Sequence, residues 1–216
     1  MHSFSLTINK TAVAEMPPVV FDGPITLVDK PETLDKALAD LGSQTLVGFD
    51  TETKPSFKKG CVNKVALMQL STDAHNYLIR LNHLGLPAPL REFLENPRIT
   101  KVGLSVHDDF SVLRRTAAIE PAGFVELQRY VKNYAIADCS LQKIFAIVFG
   151  KKISKKQRLT NWEAAELTPQ QQAYAAIDSW ACLKLYRYLS EGHFDPAASP
   201  YRASADGGDN TTADKS

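Results

Sequence analysis

The sequence predicts an α/β domain, a mixed sheet with helices on its faces, on three observations. Apolar runs of strand length lie close together between residues 45 and 81; strand-like and helix-like patterns then alternate; and the chain from about 128 to 189 reads as almost entirely helical. With 216 residues there is room for one ordinary domain. Hydrophobic residues at 44% and charged ones at 23% exclude a wholly disordered chain.

Residues 1–20 mix polar side chains with Pro17-Pro18 and read as an extended arm. Residues 31–41 read as a short helix closed by Gly42. Residues 45–53 form the first strand, and 62–71 and 76–81 two more, each rich in β-formers and bounded by polar or turn residues. A helix at 89–95, a strand at 99–104, a helix at 106–115 and a strand at 123–127 complete a five-stranded pattern. The folded body is then 21–194. Residues 195–216, rich in Ala, Ser, Gly and Asp, read as a disordered tail.

No apolar run reaches the roughly 18 residues of a membrane span. Thr7, Asn9 and Lys10 interrupt any secretory pattern, and Cys61, Cys139 and Cys182 form no CxxC pair. A soluble cytoplasmic protein without disulfides or structural zinc is the expectation. Cys139 and Cys182 read as small core residues, Trp162 and Trp180 as packing residues, and His75, His83 and His107 as structural or solvated.

The net charge of +1 excludes a wholly basic nucleic-acid coat. Two stretches nevertheless carry bases and no acids: 54–64, with Lys54, Phe57, Lys58 and Lys59, and 151–158, with Lys155, Lys156 and Arg158. Alone, each reads as a solvated loop; flanking acidic chemistry, they would steer phosphates.

That acidic chemistry has three candidate sources. Asp50-Thr51-Glu52 ends a run, Leu46-Val47-Gly48-Phe49, that is apolar on both faces as a central strand should be. Alternation sends Asp50 and Glu52 to one face, where two desolvated carboxylates repel and a divalent cation relieves both penalties. The alternative is a strand end whose acids are already in water. The second source is the helix starting near Thr168, where Thr168, Pro169 and Gln171 fit a capping box. In that register Tyr174, Ile177, Asp178, Ala181 and Leu185 share a stripe, so Asp178 faces the core and needs a partner: a cation, or a lysine or arginine. The third is Asp108-Asp109. If Ser105 caps that helix, Asp109 reaches the interior edge while Asp108 points outward toward solvent. Four carboxylates from one strand and two helices make a plausible two-metal site, and hard oxygen ligands without a His or Cys cluster favour Mg²⁺ or Mn²⁺.

In order along the chain, Asp50-Thr51-Glu52, the segment Lys101-Val-Gly-Leu-Ser-Val-His-Asp-Asp109 followed by Leu113, and Tyr174-Ala-Ala-Ile-Asp178 resemble the three motifs of the DEDDy 3′–5′ exonucleases. The resemblance covers about residues 45–190 and is nearest the ribonuclease D and Werner-type branch, which Leu159-Thr-Asn-Trp162 also resembles. The sister class has histidine five residues before the last aspartate, where this chain has Ala173. The resemblance implies an RNase H-like fold with a mixed five-stranded sheet, and release of nucleoside 5′-monophosphates from single-stranded or frayed 3′ ends of nucleic acid. It implies that Asp50 bridges two divalent cations, that Glu52 and Asp178 complete one of them, that Asp109 holds the other, and that Tyr174 orients the attacking water. Thr51, Lys54, Phe57, Lys58, Lys59, Lys155, Lys156 and Arg158 are the candidate nucleic-acid contacts, with Phe57 stacking on a terminal base. Neither the appended helical domains of ribonuclease D nor the helicase of Werner-type proteins is expected from this sequence, which leaves RNA or DNA open as substrate. The competing functions are a catalytically silent nucleic-acid-binding module of the same fold and an RNase H-like endonuclease.

Overall fold

The computed structural model describes residues 4–56 and 63–204. The chain enters through β1 (Phe4–Leu6) and α1 (Lys10–Glu15), then forms β2 (Ile25–Val28) and α2 (Pro31–Gly42). β3 (Leu46–Thr53), β4 (Val65–Ser71) and β5 (Asn76–Arg80) follow as an antiparallel run. The short α3 (Leu81–Leu84) and α4 (Ala88–Glu95) lead to β6 (Thr100–Gly103), and α5 (Val106–Leu113) leads to β7 (Phe124–Glu126). α6 (Leu127–Tyr130), α7 (Leu141–Phe149), α8 (Pro169–Ser190) and β8 (Arg202–Ser204) complete the order.

The main sheet runs β2-β5-β4-β3-β6-β7, with β3 between antiparallel β4 and parallel β6. Alternation along β3 divides the molecule. Val47 and Phe49 enter a core shared with α2, α4 and α5, where Phe49 meets the Phe110 and Phe124 rings at 6.4 and 5.0 Å. Burying that phenyl contributes about 1.5–3 kcal/mol. Gly48 faces the other way, against α8. A Cβ there would lie 2.0 Å from the Ser179 carbonyl oxygen, so only glycine lets the helix backbone settle directly on the strand.

A buried polar latch holds α8 in that position. Ser71 and Ser179 hydroxyls lie 2.5 Å apart, and the Asn76 amide donates to the Ala176 carbonyl at 2.8 Å and to the Ser179 hydroxyl at 3.0 Å. The N-terminus of α8 carries the capping box expected of Thr168 and Gln171. Register and height of the helix over the sheet are therefore both set.

Several expectations change. The sheet has six strands because Ile25–Val28 adds a parallel edge beside β5. Only four residues long and half-exposed, that strand has too little alternation to be legible. The segment expected to be an extended arm contains α1, capped by Asn9, and buries Leu6, Ile8, Val13 and Val19 in the core beneath α7 and α8. The tail expected to be disordered returns at Arg202–Ser204 to pair with β1; its residues beyond 204 lie outside the described part. Gly42 is the last residue of α2, and Ser43 takes the C-cap position. Helix also stops between 150 and 168: Gly150 closes α7 at φ +62°, and Lys152 pairs its backbone with Pro17 and Val19. Cys182 is buried as expected, but Cys139 is exposed in the loop before α7.

Candidate active site

Asp50 and Glu52 leave β3 on the face that Gly48 presents to α8, and α8 brings Asp178 down onto them. Carboxylate oxygens of Asp50, Glu52 and Asp178 all lie within 4.8 Å of one another. A register shift in the pairing with β4 falls between Glu52 and Thr53, ending the regular ladder where the acids emerge. Asp178 is 8% exposed and Tyr174, one turn earlier, 9%. The Tyr174 hydroxyl lies beside the Asp178 carboxylate and favours its ionised form. Its ring stacks on the fully buried Trp162 at 6.0 Å, so the indole fixes the phenol from behind.

Asp109 arrives from the opposite side. It sits in the first turn of α5, on the Phe49 side of the strand, and its carboxylate accepts from the Thr51 hydroxyl at 2.5 Å. It stands outside the three-carboxylate group yet close enough to repel Asp50 and Glu52. Asp108 points to solvent. Ser105 occupies the N-cap position but makes no side-chain cap, with its backbone left-handed at φ 62°. Glu126 of β7 caps α5 instead, its carboxylate accepting the Ser105 and Val106 N–H groups at 2.9 Å each. A glutamate reaching from a neighbouring strand leaves no local sequence pattern.

Burial and mutual repulsion push these acids upward. Asp50 is raised well above the usual aspartate range, by desolvation first and then by Asp178, Asp109 and Glu52. Glu52 is raised to about 9, again by desolvation first, with Arg158 opposing. Asp109 and Asp178 rise to about 7 through desolvation, tempered by the Thr51 and Tyr174 hydroxyls respectively. The Tyr174 phenol is also raised, by burial and by Asp178 beside it. Among the described residues no ion pair reaches any of the four carboxylates, so the salt bridge considered for Asp178 is absent. Crowded, half-buried to buried oxygen donors without an ion pair suit a hard divalent cation, which would supply the compensating charge.

The cluster opens into a cavity of about 490 Å³. Thr51, Lys155 and Arg158 line it, together with Leu104, Gln128 and Gln142. The first three were candidate contacts in the sequence; Leu104 lies within the Lys101–Asp109 motif without having been singled out, and Gln128 and Gln142 come from segments with no motif. Lys156 is exposed and does not line the cavity, while Lys54 pairs with Glu163 at 3.4 Å. Phe57, Lys58 and Lys59 lie outside the described residues. Gly48 and Trp162 set the site without touching its contents. A glycine inside an otherwise apolar strand was the available clue to a close backbone approach.

A family model described as 3′–5′ exonuclease matches residues 25–192. Over 155 residues the chain is 33% identical to the mouse bifunctional 3′–5′ exonuclease/ATP-dependent helicase WRN, covering 69% of this chain and 11% of that protein. Over 152 residues it is 31% identical to an Arabidopsis thaliana 3′–5′ exonuclease, covering 67% of this chain and 52% of that one. It therefore spans about half or less of the length of these relatives. Among solved structures, the EXO domain of Aedes aegypti Nibbler superposes with a TM-score of 0.71 at 24% identity, covering 83% of this chain and 96% of that domain.

Proposed function

The chain belongs to the 3′–5′ exonuclease family, with the RNase H-like fold, and we propose that it shortens nucleic acid strands from their 3′ ends by hydrolysing phosphodiester bonds. The observation that carries this reading is the group of Asp50, Glu52 and Asp178 oxygens within 4.8 Å, the first two half-buried and the third buried, with no ion pair among the described residues, lining a cavity large enough for a terminal nucleotide.

Asp50, Glu52 and Asp178 would hold divalent cations, Mg²⁺ or Mn²⁺, and Asp109 would contribute from the other side. Such ions activate water and stabilise charge on the leaving oxygen in an in-line displacement at phosphorus. The chain's own groups do the rest. The Tyr174 hydroxyl, held by Trp162 and by Asp178, orients the attacking water. Lys155 and Arg158, on the cavity wall beside Asp178 and Glu52, attract the phosphate and offset its approach to four carboxylates. Water adds to phosphorus, the P–O3′ bond breaks, the shortened strand keeps a 3′ hydroxyl, and a nucleoside 5′-monophosphate leaves.

The test is a time course with 5′-labelled single-stranded DNA and RNA, with Mn²⁺ and with a chelator. Stepwise 3′ shortening that needs Mn²⁺, and disappears in Asp50→Ala, is the expected result. Tight oligonucleotide binding without turnover would favour the silent binding module instead, and cleavage of a circular strand would identify an endonuclease.

A further inference from the structure

Beside Asp50 lies a side chain that the mechanism above does not use. Gln69 is the cross-strand neighbour of Asp50 in the β3–β4 pair, so both project from the same face of the sheet, beneath α8. It is fully buried at 0% exposure, and neither its amide nitrogen nor its carbonyl oxygen has a hydrogen-bond partner. Native interiors rarely leave both ends of a carboxamide unsatisfied, and each such group needs an explanation. Its surroundings sharpen the question. Ser71, two residues on and facing the same way, is fully engaged in the latch with Asn76 and Ser179. On the other flank Gln69 pairs with Leu78, which offers nothing polar. Two acceptors flank it on that face among the described residues: the Asp50 carboxyl directly opposite and, diagonally, the unpartnered Asn76 Oδ1, whose amide nitrogen is already committed to the latch; Asp50 is the directly opposed one.

We propose that Gln69 is a positioning residue for the cation site: with a cation bound, its unpartnered amide N–H turns to the Asp50 carboxylate across the strand pair and fixes the orientation in which that carboxylate holds the ion. The assignment rests on the reading of Asp50, Glu52 and Asp178 as cation ligands. A carboxylate that serves a cation has lone pairs to spare, and a donor fixed in the sheet restricts its rotation. Groups behind a ligand commonly govern metal affinity by 10- to 100-fold. A glutamine does this without adding charge to a crowded acidic cluster, as an aspartate or lysine would.

The experiment measures Mn²⁺ binding directly, by electron paramagnetic resonance of the free ion, on the purified full chain without nucleic acid. Gln69→Met keeps the length of the side chain and removes its polar atoms; Gln69→Leu is the second variant, should the first fold poorly. Melting temperatures in chelator are recorded for each. The expected result is a Kd for Mn²⁺ raised about tenfold in a variant whose melting temperature is unchanged or higher, since two unsatisfied buried atoms are gone. In the nuclease assay the Mn²⁺ concentration for half-activation rises in step, while the rate at saturating Mn²⁺ stays close to that of the parent. A merely structural glutamine gives the opposite pattern: Mn²⁺ affinity within twofold of the parent, with any change confined to melting temperature. That outcome overturns the assignment and leaves the carboxylate site standing. A parent chain that binds no Mn²⁺ at all removes the cation site, and Gln69's role with it.

Discussion

The carboxylates on the two sides of β3 are held in different ways. On the α8 side, Asp50, Glu52 and Asp178 are placed by architecture: a strand in the middle of the sheet, a 22-residue helix, a glycine that lets them touch, and a buried polar latch. On the α5 side, Asp109 belongs to an eight-residue helix capped from outside by Glu126, and among the described residues one hydroxyl, that of Thr51, holds it. The first group is crowded and rigid, the second singly tethered. On the proposed reading, such a site would keep the position of the three clustered carboxylates preformed and tune the contribution of Asp109 through one hydrogen bond.

The harshest way to break the comparison is to remove a member of the rigid group. Asp178→Asn should lower mononucleotide release by at least about 10³-fold at any Mn²⁺ concentration, as expected when a group that stabilises the reacting charge is lost. It should also raise the melting temperature in chelator at pH 8, because one of several repelling charges is gone. An equally active Asp178→Asn would end the distinction between the two sides.

Next in size is the response to pH. Glu52 near 9, Asp109 and Asp178 near 7, and Asp50 raised as well all exceed the ordinary values of 4.5 for Glu and 3.8 for Asp. Between about pH 4 and 9 the ion-free folded chain therefore holds protons that the unfolded chain has released. Stability from these groups is present at low pH and is lost as pH rises through that window. A divalent cation takes the deprotonated site, so its stabilising effect grows over the same range. Melting curves at pH 5 to 9 should show the chelated protein falling by on the order of 5 °C and the Mn²⁺ curve separating upward from it. A chelated melting temperature that climbs across the window would contradict the crowding described here.

Gly48→Ala tests the architecture itself. The added methyl would sit 2.0 Å from the Ser179 carbonyl oxygen, so α8 must lift, taking Asp178 and Tyr174 away from Asp50. Overpacking of this kind costs about 1–3 kcal/mol, and a shift of about an ångström at a catalytic group can lower the rate roughly 10²-fold. Urea unfolding and the nuclease assay measure the two effects separately. Loss of stability with full activity would mean that the strand, not the helix, gives way.

What the sequence disclosed follows the same division. Asp50, Glu52, Tyr174 and Asp178 were legible because strand alternation and a capped helix register each fix a direction from local residues alone. The Thr168–Gln171 box fixed the phase of α8, and the phase placed Asp178 inside. The irregular stretch from 150 to 168 was not legible as such, since its conformation follows from long-range pairing with Pro17 and Val19 and from Trp162 packing behind Tyr174. Nor was α1, whose Val13 finds its core only once α7 and α8 are folded. The cap on α5 was misplaced for the same reason: Glu126 lies 20 residues or more along the chain from the groups it satisfies.

The smallest effects belong to the singly tethered side, and they decide whether the asymmetry matters to function. Asp109→Asn should weaken activity about tenfold, and in a way that added Mn²⁺ partly restores, in contrast to Asp178→Asn. Thr51→Val should do less still. It keeps the β-branched shape that suits the strand and removes only the hydroxyl donated to Asp109. A hydrogen bond to a charged group is worth about 1.5–3 kcal/mol, but the carboxylate here can turn toward the cavity once released, so a threefold to tenfold loss of rate is the expected order. The informative readout is the Mn²⁺ titration. A rise in the concentration for half-activation, with the saturating rate nearly kept, places Thr51 behind the cation position that Asp109 serves. An increase in activity on Thr51→Val would instead mean that the hydroxyl restrains Asp109, and that the second side of the strand must let go of its tether before it can work.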